Sequence, residues 1–199
     1  MANYTTINKS SDYFNTKTYA GNGNSSHGIT GINFKPDWTW IKNRDATDEH
    51  QLFDSSRGVT KVLESSTTAA EAANDDTLTA FISTGFSLGD DVAVNTNNES
   101  YVAWNWKANG GTATATITES GNNPAASVQA NPTAGFSIIT YTGTGAAGTI
   151  AHGLGAVPKM IICKNRNNGD DNAYWAVYHG ENTAAPATDY LVLNTTAAT

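Results

Sequence analysis

Residues 136–155 read FSIITYTGTGAAGTIAHGLG, and within them GTGAAG (143–148) matches letter for letter the G-x-G-x-x-G loop that cradles a dinucleotide pyrophosphate. If that match held chemically, the chain would be an α/β protein. The phosphates of such a site rest on the N-terminus of a helix that opens at the third glycine. Here the following residues are TIAHGLGAVP, with two more glycines and a proline, and no stable helix tolerates that composition. The stretch therefore predicts a strand followed by a glycine-bearing hairpin loop in a β protein.

The same stretch exposes an internal repeat. YFNTKTYAGNG (13–23) falls on GFSIITYTGTG (135–145) at an offset of 122, matching Phe14 with Phe136, Thr18-Tyr19 with Thr140-Tyr141, and both loop glycines. At the same offset KPDWTWIKNR (35–44) falls on VPKMIICKNR (157–166), which shares Pro36/Pro158 and the triplet Lys42-Asn43-Arg44 / Lys164-Asn165-Arg166. His27-Gly28 answers to His152-Gly153, and Thr67-Thr68-Ala69-Ala70 to Thr195-Thr196-Ala197-Ala198, with small slips. The chain reads as a tandem repeat. Residues 1–108 form a first β repeat with an N-terminal arm, 109–134 a Gly/Thr/Asn/Pro-rich linker in which TATATIT alternates well enough for one strand, and 135–199 a second, incomplete copy. A full unit takes roughly 95 residues, so the second copy would need some 35 more, and a longer polypeptide is expected.

Elsewhere the apolar period is two. Trp38–Ile41, Gln51–Phe53, Val59–Leu63, Thr79–Ile82 and Tyr101–Trp106 are short, rich in aromatic and β-branched residues, and separated by Gly, Asn, Asp or Ser. The expected fold is all-β, an antiparallel sandwich or jelly-roll-like domain. One helical turn or two is expected over Thr68–Asn74, where Thr68-x-x-Glu71 spells a capping box.

Composition narrows function. Only 15% of the 199 residues are charged and the net charge is −7, without a Lys/Arg cluster, which argues against phosphate-neutralising contact with nucleic acid. Cys163 is the single cysteine, so multi-cysteine metal sites and intramolecular disulfides are excluded; inside Met160-Ile161-Ile162-Cys163 it reads as a small buried hydrophobe. No apolar run approaches the ~18 residues of a membrane span, and MANYTTINKSSDYF lacks the apolar core of a secretion signal, so a soluble product without membrane insertion is expected.

Candidate sites are few. Trp38/Trp40 and Trp104/Trp106 each project from one face of a strand, as core residues or as a platform for sugar rings. The repeat favours core for the first pair, because Met160 and Ile162 replace it, whereas Trp104 and Trp106 remain candidates for glycan or partner contact. Lys42 and Arg44, with Lys164 and Arg166, are polar residues kept in both units, placed either to anchor the following loop or to face a partner. The acidic loops RDATDEH (44–50) and GDDVAVNTNNE (89–99) collect oxygen ligands of the kind calcium takes, yet neither spells a calcium-loop motif, and solvated loops are the commoner reading. His27 and His152 suit structural hydrogen bonds, and Asp54 and Arg57 a local ion pair. Nucleophile elbows, zinc-hydrolase signatures and C-x-x-C motifs are absent, so neither an enzyme nor a cofactor is expected.

The combination of His-Gly ahead of Pro and Lys-Asn-Arg, then HQLFDSSRG (50–58), TTAAE (67–71), TGFSLG (84–89) and YVAWNWKA (101–108), resembles a repeat domain of virion proteins from marine tailed phages, including those infecting cyanobacteria and Pelagibacter-like hosts. The resemblance covers 1–108 closely and 135–199 as a truncated copy, and the opening NYTTINKSSDYFNTKTYAGNG is similar to the start of such proteins. It implies a structural protein assembled in the host cytoplasm and exposed on the particle: a tail fibre or receptor-binding appendage, or alternatively a capsid-bound decoration or head fibre. It implies other virion proteins as partners, a homotrimer, and contact with a host surface glycan or protein. A lectin-like module acting through Trp104 and Trp106 is the alternative of another class, and a depolymerase would need carboxylates that the sequence does not place.

Overall fold

The computed structural model describes residues 7–170 and 173–196. A six-stranded antiparallel sheet forms from β1 (Phe14–Ala20), β3 (Trp38–Asn43), β4 (Gln51–Asp54), β5 (Gly58–Glu64), β6 (Ala72–Ala73) and β9 (Ser100–Trp106), in the order β1-β9-β3-β4-β5-β6. All five strands expected from the alternating segments are present. Alternation drives this sheet: along β9 every second residue, Tyr101, Ala103 and Asn105, is buried while its neighbours are half-buried.

A second antiparallel sheet, β2 (His27–Ile29), β8 (Gly85–Leu88) and β7 (Leu78–Ile82), covers one face of the first. Ile29, Leu78, Phe86 and Leu88 of this layer meet Ile41, Phe53, Val62, Tyr101 and Ala103 of the six-stranded sheet in one buried cluster. The first unit is thus an antiparallel β-sandwich, as its sequence predicts.

The glycine loop after β1 is not a hairpin. β1 pairs with β9, and β2 pairs with β8 in the other layer, so GNGNSS carries the chain between sheets. The expected helical turn over Thr68–Asn74 is likewise absent. Ala72–Ala73 lie extended against β5, because the Glu71 carboxylate that would close the capping box is drawn to arginines instead. The α-helix that does form, α1 (Val92–Asn95), follows Asp91, whose side chain accepts from Ala93 N at 2.9 Å and caps it.

Residues 109–134 are ordered rather than a free spacer. β10 (Ala115–Ile117) and β11 (Ala126–Asn131) build a three-stranded sheet with β12 (Phe136–Tyr141). Two buried side chains of different segments hold this stretch to the first unit. Asp37 accepts from Ala108 N and Gly110 N at 2.7 and 3.0 Å, and Gln129 accepts from Asn109 N and Gly111 N while donating to Ser56 Oγ.

In the second unit β13 (Met160–Cys163), β14 (Ala176–His179) and β15 (Leu191–Val192) form a meander. Its register repeats that of β3-β4-β5: Trp38 pairs with Asp54 and Leu52 with Leu63, while Met160 pairs with His179 and Val177 with Leu191. β12 answers to β1 at the same sequence offset, and Gly23 and Gly145 share a positive φ of 65° and 76°. The last stretch of the repeat match, Ala197 and Ala198, and the first six residues of the N-terminal arm lie outside the described residues.

Candidate functional site

Tryptophans separated in sequence converge on the face of the six-stranded sheet that turns away from the sandwich core. β3 and β9 are paired so that Trp38 lies opposite Trp106 and Trp40 opposite Trp104. The ring centroids of Trp38 and Trp106 are 4.6 Å apart, those of Trp40 and Trp104 6.1 Å, and Phe14 tilts against Trp106 at 4.8 Å. All four tryptophans are half-buried.

The second unit covers much of this face. Phe136, at the start of β12, stacks on Trp38 at 5.8 Å with 14° between the planes and on Trp106 at 6.2 Å. Further along, Leu52, Leu63 and Trp175 are buried together, with Trp38, Trp40 and Ile162 packed around them. The Trp175 indole N–H donates to Glu64 O at 2.8 Å, so its polar end is satisfied inside the contact. Ile162 answers to Trp40 and Phe136 to Phe14, so equivalent faces of the two copies contribute to one interface. Phe136 was visible in the self-match as a repeated residue, whereas Trp175 carried no signal in sequence, because its role depends on which face docks.

The repeated Lys-Asn-Arg triplet plays one role in both units and a second role in only one. Lys42 Nζ donates to Asn43 O and Ala46 O; Lys164 Nζ donates to Asn165 O and Asn168 O, the same one- and four-residue reach. Asn43 Oδ1 accepts from Asp45 N and Asn165 Oδ1 from Asn167 N, each closing a turn. The triplet is a loop anchor. Lys164 in addition donates to Thr68 O, and Arg166 reaches Glu71, so the second copy clasps the first. Arg44 is exposed, and its backbone N donates to Ser100 O.

Arg166 joins a buried ionic group. Arg57, its side chain 3% exposed, sits between Asp54 and Glu71, and donates to the backbone oxygens of Lys61 and Leu52. The expected Asp54–Arg57 pair is present, and Glu71 extends it to Arg166 across the interface. With both carboxylates and two carbonyls around one guanidinium, desolvation is compensated on every side.

The acidic loops are committed to the protein's own groups. Asn43 Nδ2 donates to Asp48 and Glu99, Asp45 accepts from Ser100 N, and Asp91 caps α1 and accepts from Asn74. Asn95, fully buried, donates to Gly89 O and Asn24 O and meets His27 Nδ1 at 2.8 Å. Among the described residues no three His, Cys, Asp or Glu side chains are grouped to hold a metal ion. His152 Nδ1 accepts from Leu154 N.

GTGAAG lines one side of an open depression of about 400 Å³ together with Pro124, Tyr141 and Ile150. Thr144 Oγ1 donates to Asn122 O, Thr149 N donates to Asn123 Oδ1, and no helix follows, so the loop is pinned to the turn before β11 rather than shaped around phosphates; nor is it the expected hairpin, because β12 pairs back to β11 and β13 forward to β14. Cys163 is only half-buried, contrary to its apolar context, and its Sγ lies 3.3 Å from Tyr141 Oη. That contact, with burial, pushes the Tyr141 hydroxyl up to about 12.

A family described as a domain of unknown function (DUF7483) matches residues 9–199, a span that takes in both copies and the strands between them. No curated protein and no solved structure matches the chain. Among the described residues no helix is long and apolar enough to cross a membrane.

Proposed function

From the premise that the chain belongs to the DUF7483 family over residues 9–199, we propose that it is a structural module of a tailed-phage virion, part of a tail fibre or receptor-binding appendage. One observation carries the reading: two copies of one β repeat pack against each other through equivalent faces, the aromatic face of the first copy meeting Phe136 and Ile162 of the second. The contact is sealed by Phe136 on Trp38 and by Arg166 on Glu71. A rod or fibre that transmits position along a polypeptide needs such module-to-module rigidity, since its distal contacts act by copy number and avidity. The sequence resemblance to repeat domains of marine phage virion proteins points the same way.

In this role Trp106 works at a join between modules rather than as an open sugar platform. Trp106 is covered by Phe14, Trp38 and Phe136, and Trp104 packs on Trp40. The appendage is a homo-oligomer, a trimer by analogy with fibres, anchored on other virion proteins and presented to a host surface glycan or protein.

Electron microscopy of intact particles with antibody labelling of this chain tests the proposal. Density at the tail in a few dozen copies or fewer is expected. Hundreds of copies over the shell would overturn the tail assignment in favour of a capsid decoration, and absence from purified particles would overturn the virion role altogether.

A further inference from the structure

We infer that the second unit carries a receiving site for one antiparallel β-strand, between β12 and β13, and that its occupant is a strand with the residue pattern of β9, SYVAWNW. The inference stands on the geometry of the first unit and is independent of a virion role.

In the first unit β9 lies between β1 and β3 and pairs with both. The hydrogen bonds Lys107 N to Tyr13 O and Gly21 N to Glu99 O fix the parity of the ladder: Asn15, Lys17 and Tyr19 turn their backbone groups toward β9. Likewise Arg44 N to Ser100 O assigns Trp40 and Lys42 to β9, whereas Ser55 N to Asp37 O assigns the intervening residues to β4.

The second unit preserves both parities. Thr142 N donates to Ala125 O, so Ile138 and Thr140 serve β11, and the backbone groups of Ser137, Ile139 and Tyr141 face the opposite edge. Those three answer to Asn15, Lys17 and Tyr19. Gly180 N donates to Lys159 O, so Ile161 and Cys163 serve β14, and Met160 and Ile162 face away from it as Trp38 and Trp40 do. Among the described strands none pairs with either edge. β11 therefore does not occupy the position of β9; it lies on the other side of β12.

Side chains agree with the backbone. Thr39 and Ile41, beneath the sandwich core, are 0% exposed, while their counterpart Ile161 is 49% exposed and Cys163 half-exposed. Tyr141, Val157 and Met160 are exposed as well. Tyr141 answers to Tyr19, which in the first unit stacks on Tyr101 of β9 at 5.1 Å. With no such strand paired there, Tyr141 reaches Cys163 instead. An open apolar edge of this kind recruits a strand by main-chain pairing, and alternate side-chain pockets select it. The pattern that fits is that of β9: Tyr, Ala and Asn toward the core side, tryptophans toward the other.

The probe is a synthetic peptide of Ser100–Ala108, SYVAWNWKA, added to the full chain while amide exchange is followed. The expected result is at least about tenfold slower exchange at Ser137, Ile139, Tyr141 and Ile162, with the peptide antiparallel to both strands. A peptide carrying Ala103→Pro should lose this protection. Ile139→Pro in the protein removes a donor that β11 does not use and should abolish binding while leaving the β11 pairing protected. Failure of the wild-type peptide to protect these amides at saturation would overturn the proposal, as would protection confined to β6 or β15, or equal protection by the Ala103→Pro peptide. If Ile139→Pro fails to fold, the two peptides decide the matter alone.

Discussion

Arg166 and Glu71 meet twice, Glu71 N donating to Arg166 O at 2.8 Å and Arg166 Nη1 to Glu71 Oε2 at 3.3 Å. The two contacts differ in worth. Glu71 also holds Arg57, which is almost fully buried, whereas the Arg166 side chain is 36% exposed and screened by solvent. Glu71→Ala should therefore cost about 2 kcal/mol in urea denaturation, since it leaves a buried guanidinium with one carboxylate fewer. Arg166→Ala should cost no more than about 0.5 kcal/mol, because the backbone bond survives it. Equal losses for the two variants would contradict this ranking.

The stacking of Phe136 on Trp38 joins the second copy to the first, so its energy should appear as coupling rather than as two independent losses. A double-mutant cycle on Trp38→Ala and Phe136→Ala should give an interaction of about 0.5–1.5 kcal/mol. Trp38→Ala combined with Tyr174→Ala, whose ring stacks on Tyr190 instead, should be additive within about 0.5 kcal/mol. Additivity in the Phe136 cycle would mean that the two copies are held together elsewhere.

Alternation in Trp38–Ile41 and Tyr101–Trp106 made the central strands legible, because a half-buried sheet imposes period two directly on the residues. The repeat was legible for a related reason: the Lys-Asn-Arg anchor needs the same donors and acceptors at the same spacing in each copy. Long-range choices were not legible. Thr68-x-x-Glu71 is a sound local helix signal, yet one buried arginine fourteen residues upstream and another across the interface compete for the same carboxylate and win. Gln129 looks like a linker residue until Ser56 and the Asn109–Gly111 turn close around it. The tryptophan face was readable as a face, but nothing in the alternation says that Phe136 and Trp175 come to cover it.

Gly21 and Gly143 occupy the same place in the two copies but different surroundings. A Cβ on Gly21 would lie 2.0 Å from Thr96 O and 2.9 Å from Asn95 C, which are backbone atoms beside α1, while a Cβ on Gly143 would meet nothing within 4 Å. Gly21→Ala should then force the α1 segment to move and lower Tm by roughly 6–10 °C, equivalent to about 2–3 kcal/mol. Gly143→Ala should be neutral or stabilise by up to about 0.5 kcal/mol through the unfolded chain. A matching loss at Gly143 would show that a segment equivalent to α1 packs on the second copy as well.

His50 should make stability depend on pH in the acid direction. Its Nδ1 accepts the Trp40 indole N–H at 2.8 Å, which requires a ring nitrogen without a proton. Burial holds the folded His50 below its ordinary value of 6.5, Lys42 adds to that depression, and Glu49 opposes it. Between the lowered folded value and 6.5 the unfolded chain binds more protons than the folded one, so stability rises with pH in that window. The contribution is complete above 6.5 and is lost as pH falls through the folded value. Comparing Tm from pH 7.5 downward for the native chain and for His50→Gln should show a steeper acid decline in the native chain, with the Trp40 indole proton resonance shifting over the same range. Parallel curves, with an unmoved indole resonance, would show that the Trp40–His50 bond does not govern the acid response.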